Sequence, residues 1–292
     1  MEYLRPSSVD EAVGLLDSSR GMVLAGGTDA CVYMAEGICS PETIIDIGHL
    51  DALRGIEIAS SERVELIRIG ACTTIAEVAA SPVLPASLRQ GAQAVGSPQI
   101  RNLGTIGGNV CNASPCGDTL TPLLTLDASF VLRSAQGTRA VQSREFFTGP
   151  KQTLLQPDEI LKFIEIPLPA CTWTSAFRMI GNRKGQAISQ VNAAAGFCIN
   201  DGVVSKVRVA VGSVAPVPLR LEALEQSLEG RGIDEINLEA IQELVLEGIR
   251  PIDDVRSTAT YRQDVTVALV FDCLMACANQ ATEAAGIEGA SS

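Results

Sequence analysis

Apolar residues at Val9, Ala12, Val13 and Leu16 recur at the spacing of one helical face. Ser8-Val9-Asp10-Glu11 ahead of them reads as a capping box, so a helix starts there. Gly21 ends it. Met22-Val23-Leu24-Ala25 is a short apolar run of the kind a buried strand shows, and it leads into Gly26-Gly27-Thr28-Asp29. A short helix and a strand over Thr43–Ile47 follow. Ile56–Ile58 and Val64–Gly70 read as a hairpin around Ser60-Ser61-Glu62. Thr74-Ile75-Ala76-Glu77 is a second capping box, and Ala86–Val95 reads as a helix ended by Gly96-Ser97-Pro98. Residues 102–124, rich in small hydrogen-bonding residues, read as loop. Ser129–Arg133 and Arg139–Gln142 pair across Gln136-Gly137, and Glu159–Ile166 is a further strand.

Pro167-Leu168-Pro169-Ala170 marks a boundary. Beyond it Thr174–Ile180, Ala187–Ile199 and Val203–Val211 read as strands, the last two joined at Asn200-Asp201-Gly202. Helices are expected at Leu221–Leu228, Asn237–Glu247 and from about Ser257 to Thr282, with fraying from Ala281. The fold class is α+β. A two-part N-terminal domain over residues 1–168, divided near 55 into 1–55 and 56–168, precedes a smaller domain over 169–286. That smaller domain is a three-stranded antiparallel sheet and three helices, and residues 287–292 form a frayed tail.

Composition narrows the function. The chain has 292 residues, 46% of them hydrophobic, which is ample for a core. A formal net charge of −12 argues against nucleic-acid and anionic-membrane partners, both of which select basic surfaces. No apolar run approaches the ~20 residues of a membrane span, and the N-terminus lacks a signal-peptide pattern. Nine irregularly spaced cysteines with no C-x-x-C argue against a secreted disulfide framework and fit a reducing cytoplasm. Cys111 and Cys116 open like a plant-type iron–sulfur run, but Thr119 stands where its third cysteine belongs. They read as small fillers, and Cys273 and Cys277 as buried thiols. His49 is the only histidine, so a zinc centre or a serine triad has little to draw on.

What remains is a pair of double-glycine loops, LAGGTD at 24–29 and GTIGGN at 104–109, both expected at strand ends. Neither is a Rossmann fingerprint or a phosphate-binding loop with its lysine. Without Cβ atoms such bends let backbone N–H groups converge on an anion, and Thr28 and Thr105 add hydroxyls. A diphosphate suits both loops. Asp118, which phosphate would repel, suits the hydroxyls of a sugar or polyol. The bland alternative is a pair of tight turns.

A-G-G-T-D at 25–29, Q-I-R-N at 99–102, T-I-G-G-N at 105–109 and N-A-S-P-x-x-D-x-x-x-P-L-L at 112–124 together resemble the FAD-binding medium subunits of molybdenum hydroxylases. The likeness spans essentially the whole chain, including F-x-x-G-x-x-x-T at 146–153 and D-E-I-L at 158–161. It is nearest the xanthine dehydrogenase-like members. It implies a PCMH-type FAD-binding domain whose two subdomains hold the FAD diphosphate. The implied cofactor contacts are Met22, Val23, Leu24, Ala25, Gly26, Gly27, Thr28 and Asp29 from the first loop. From the second they are Leu103, Thr105, Ile106, Gly107, Gly108 and Asn109. Asp118 would reach ribityl or ribose hydroxyls, Ile160 and Leu161 would border the adenine or flavin, and Arg178 stands in S-A-F-R where the family has lysine. No residue is expected to be catalytic or to bind metal.

The same resemblance implies non-covalent FAD, with molybdopterin and [2Fe–2S] clusters on partner subunits only. A large molybdopterin subunit and a small iron–sulfur subunit would complete a cytoplasmic heterotrimer. Electrons would pass from the clusters to FAD and on to NAD or another acceptor, with purine or xanthine oxidation the leading expectation. A carbon monoxide, nicotinate or other N-heterocycle dehydrogenase is the alternative within the family. A stand-alone FAD oxidase and a non-catalytic FAD-binding module are the alternatives outside it.

Overall fold

A computed structural model describes residues 1–61, 64–183 and 185–290. The chain opens β1 (Glu2–Leu4), α1 (Val9–Ser19), β2 (Met22–Leu24), α2 (Ala30–Ala35), β3 (Thr43–Asp46), β4 (Ile56–Ser61) and β5 (Val64–Gly70). Five helices follow: α3 (Ile75–Ala80), α4 (Ala86–Ala94), α5 (Pro98–Leu103), α6 (Ile106–Asn112) and α7 (Leu120–Thr125). Then come β6 (Ser129–Ser134), β7 (Gly137–Gln142), α8 (Ser143–Phe146), β8 (Phe147–Gly149), β9 (Gln152–Thr153) and β10 (Ile160–Pro167). The last part is β11 (Trp173–Gly181), β12 (Ser189–Asn200), β13 (Val203–Gly212), β14 (Leu219–Arg220), α9 (Glu222–Leu228), α10 (Leu238–Gly248) and α11 (Ala259–Ala290).

These elements form two compact units. One holds residues 1–81, 95–114 and 127–168; the other holds 82–94, 115–126 and 169–292. The first unit contains a three-stranded parallel sheet, β1-β3-β2, and a five-stranded antiparallel sheet, β4-β5-β10-β6-β7. Helix α1 buries Ala12, Val13 and Leu16 against Ile45, Ile47, Leu50, Leu53, Cys72 and Ile160, so one cluster draws on both sheets. Its cap departs from the expected box. Ser8 accepts from the Glu11 amide, but Glu11 takes the amide and hydroxyl of Ser7 instead of returning to Ser8. At α3 the box is complete, with Thr74 and Glu77 bonded reciprocally. Phe130, Phe146 and Phe147 meet edge to face, with ring centroids 4.8 to 5.9 Å apart.

The second unit is built on the antiparallel sheet β11-β12-β13-β14. The expected three strands are joined by a fourth of two residues, too short to leave an alternating pattern in the sequence. Ten successive residues of β12, Ser189 to Cys198, are buried, and α4, α7 and α11 all pack against this strand. On one face lie α9, α10 and α11, which bury Leu224, Leu228, Ile241, Val245, Val270, Cys273, Leu274 and Cys277 against the sheet valines. Against the sheet lie also α4 and α7, borrowed from the first half of the chain. Arg220 forms a buried ion pair with Glu225, and Glu225 also accepts the Val209 amide, which ties α9 to β13 and β14.

Two expectations are corrected here. The stretch 102–124 is not loop: α6 and α7 lie within it, and α5 enters it. Helix α11 spans Ala259–Ala290. The same helix is long and apolar enough over Ala259–Glu283 to span a membrane by composition, yet its apolar residues are those packed on the sheet. Last, Cys171 and Cys198 form a disulfide, their Cα atoms 6.0 Å apart, which irregular cysteine spacing did not signal. The turn at Glu62 lies outside the described residues.

Candidate functional site

The two glycine loops meet. A Cβ on Gly26 would lie 2.1 Å from the carbonyl oxygen of Leu103 and 2.9 Å from the Cα of Gly104. Real Cβ atoms never come so close, so only glycine lets backbone rest on backbone there. The second loop is seated in the same way: a Cβ on Gly107 would stand 2.6 Å from the carbonyl oxygen of Ala71. These two glycines serve close packing within the protein, and that packing sets the first loop beside the second.

The first loop leaves the C-terminal end of β2, where a parallel sheet points its chain ends outward. Ile47 donates to the Leu24 carbonyl at 2.8 Å, which fixes the loop's start. Its far end is fixed by α2, where Cys31 and Tyr33 donate to the carbonyls of Gly27 and Asp29, both at 2.9 Å. The carbonyls of Gly27 and Asp29 are thus engaged. Among the described residues, the N–H groups of Gly26, Gly27, Thr28, Asp29 and Ala30 donate to no protein acceptor. The Asp29 side chain does not cap α2. A row of half-exposed donors without protein partners is the local chemistry an anion selects.

The second loop differs from expectation in a way that matters. It does not lie at a strand end but opens α6, with Thr105 as N-cap. The amides of Ile106 to Asn109 are already used. Ile106 donates to Thr73 at 3.0 Å, Gly107 to Ala71 at 2.9 Å, Gly108 to the Thr105 hydroxyl at 3.1 Å and Asn109 to the Thr105 carbonyl at 3.0 Å. The row of amides without an acceptor among the described residues therefore stands on the first loop. The second supplies a firm wall, with Gly108 exposed, Asn109 half-buried and Leu103 63% exposed at its edge. No sequence signal marked Ala71 and Thr73 as the acceptors that hold it.

The remaining candidates lie on other elements. Met22, Val23 and Leu24 form β2 and are half-buried. Ile160 and Leu161 open β10 and are buried, Ile160 within the cluster under α1. Asp118 and Arg178 belong to the second unit. There Asp118 is 7% exposed, and one carboxylate oxygen accepts from the Ser189 hydroxyl at 2.5 Å and the Asn192 amide at 3.1 Å. Burial pushes its carboxyl up to about 6, against the two hydrogen bonds that favour the ion. Arg178 on β11 donates to the Phe177 carbonyl at 2.9 Å. Burial also pushes the thiols of Cys72, Cys111 and Cys277 up to about 12, as inert packing groups require. His49 bonds the Pro6 carbonyl at 2.9 Å, a loop anchor.

Residues 1–169 match the FAD binding domain in molybdopterin dehydrogenase, and residues 175–277 the CO dehydrogenase flavoprotein C-terminal domain. The chain is 35% identical over 266 residues to the putative xanthine dehydrogenase FAD-binding subunit of Escherichia coli (strain K12), covering 89% of this chain and 90% of that one. It is 31% identical over 273 residues to the nicotinate dehydrogenase FAD-subunit of Eubacterium barkeri, covering 90% and 91%. Among solved structures it resembles carbon monoxide dehydrogenase from Hydrogenophaga pseudoflava lacking the Mo-pyranopterin moiety of the molybdenum cofactor. The TM-score is 0.87 at 33% identity, with 95% of this chain and 96% of that chain covered.

Proposed function

Because the chain belongs to the FAD-binding subunits of the molybdopterin dehydrogenases, we propose that its first glycine loop holds the diphosphate of a non-covalent FAD. The observation that carries this is the row of amides from Gly26 to Ala30 with no acceptor among the described residues, set against the wall of the second loop. The Thr28 hydroxyl, 3.3 Å from where a Cβ on Gly104 would lie, joins that row. A hydrogen bond to a charged oxygen contributes roughly 1.5–3 kcal/mol, so a few suffice to hold a diphosphate without lysine. The proposal rests on the first unit alone.

When bound, FAD supplies the redox step that takes electrons from iron–sulfur clusters and releases them to an acceptor. The chain's own residues contribute binding and orientation. The loop amides are fixed before the anion arrives, so little reorganisation accompanies binding. No acid or base of this chain is assigned a proton.

The complex that surrounds the chain has a large molybdopterin subunit and a small [2Fe–2S] subunit, oxidises a purine such as xanthine, passes electrons to NAD and works in the cytoplasm. Support comes from the greater identity to the xanthine dehydrogenase subunit than to the nicotinate one. Two measurements test this. The purified chain mixed with FAD is expected to become yellow and quench flavin fluorescence at one FAD per chain; a colourless protein that leaves the flavin free refutes the site. The whole complex is expected to form NADH with xanthine in preference to nicotinate or carbon monoxide. A preference for either of the others refutes the purine assignment but not the flavin.

A further inference from the structure

Helix α2 follows the first glycine loop directly and grips two of its carbonyls, so whatever fixes α2 fixes the row of amides. Apolar burial does not fix it. The helix has six residues and none is buried, and a helix that short has little stability of its own. What ties it down is polar. The Tyr33 hydroxyl on α2 donates to the side-chain oxygen of Asn112 at 3.0 Å, and the Lys151 ammonium donates to that hydroxyl at 2.8 Å. The ammonium also lies 4.2 Å from the centre of the Tyr33 ring. Asn112 is the last residue of α6, the helix that the second loop opens. Lys151 sits in the turn between β8 and β9.

The backbone reinforces the same junction. The Lys151 amide donates to the carbonyl of Ala113, the C-cap of α6, at 3.0 Å. Both residues are left-handed, with φ of 58° at Lys151 and 47° at Ala113. Side-chain-bearing residues avoid that region, and where it persists the surroundings hold something in place.

We propose that Tyr33, Asn112 and Lys151 form a clamp that positions the first glycine loop against the second for the flavin diphosphate. This inference rests on the flavin reading above. Tyr33 is the hub, touching α2, α6 and the β8–β9 turn at once. Since α2 contributes nothing to the core, releasing the clamp loosens the loop and leaves the fold intact. Tyr33, Asn112 and Lys151 are positioning residues; none is assigned a contact with the cofactor.

The test uses the full chain and two variants. Tyr33→Phe keeps the ring beneath the ammonium and removes the hydroxyl that links all three groups. Its affinity for FAD, read by flavin fluorescence, is expected to fall about fivefold to tenfold, the scale of one or two net hydrogen bonds. The melting temperature of the ligand-free chain is expected to stay where it was. Lys151→Gly removes the ammonium and relieves the left-handed backbone, so the ligand-free chain is expected to melt no lower than the parent while FAD binds more weakly. Unchanged FAD affinity in Tyr33→Phe overturns the clamp, as does a loss of melting temperature in step with affinity in both variants. A parent chain that fails to bind FAD overturns the flavin reading and the clamp with it; a parent that binds, beside variants that bind equally well, overturns the clamp alone.

Discussion

At the scale of single residues, glycines that look alike in sequence do different work. A methyl at Gly26 runs into the Leu103 carbonyl, and only a parting of the two loops makes room. Gly26→Ala is therefore expected to cost about 1–3 kcal/mol of stability, the usual range for overpacking, and to weaken FAD binding. Gly14 lies inside α1 with nothing within 4 Å of the added methyl, so Gly14→Ala is expected to stabilise by about 0.5–1 kcal/mol. Denaturant unfolding of both variants checks the contrast. Asp118 gives a second residue-level prediction. Its folded-state carboxyl sits at about 6, above the ordinary 3.8, so the folded protein holds that proton more tightly than the unfolded chain. Its contribution to stability is complete below about pH 4 and is lost as pH rises through 6, at about 1.4 kcal/mol per unit where the folded state alone is protonated. Asp118→Asn is expected to flatten that stretch of the stability profile, and an unaltered slope in the variant contradicts the assignment. Motif spacing marks the first loop as a candidate, because glycine pairs and a threonine are visible in any sequence. It gave no hint of Tyr33 or Lys151, whose meeting depends on three segments far apart in the chain.

Among the elements, α11 shows what periodicity conveys and what it leaves out. Its apolar positions place Val267, Val270, Cys273, Leu274, Cys277 and Ala278 in the core, so the helix and its buried face are legible in the residues. Leu274 is wholly buried, and Leu274→Ala is expected to cost about 2–5 kcal/mol through lost burial and a residual cavity. A shift in the urea midpoint measures it, and a cost under 1 kcal/mol contradicts the packing described. The helices α5, α6 and α7 were illegible for a physical reason. They are six or seven residues long, and two glycines fall in the first turn of α6, where propensity argues against a helix. Tertiary contacts with Ala71 and Thr73 outweigh that preference, and no local pattern encodes them. The misassigned strand end at the second loop has the same origin: Thr105 was recognised as a hydroxyl donor when its structural task is to cap a helix.

On the scale of the whole molecule, the α+β class and the succession of strands then helices in the C-terminal half could be followed along the chain. The grouping of segments into units could not, since it joins residues 82–94 and 115–126 to a sheet that begins at Trp173. That grouping constrains how the protein is made. Synthesis runs from the N-terminus, so α4 and α7 leave the ribosome well before the strands that will cover them. Leu88, Ala92, Leu120, Leu123 and Leu124, all buried in the finished unit, must stay in water until β11, β12 and β13 arrive. During translation these two short helices are sticky orphans, and they are where nascent chains would be expected to recruit chaperones or clump.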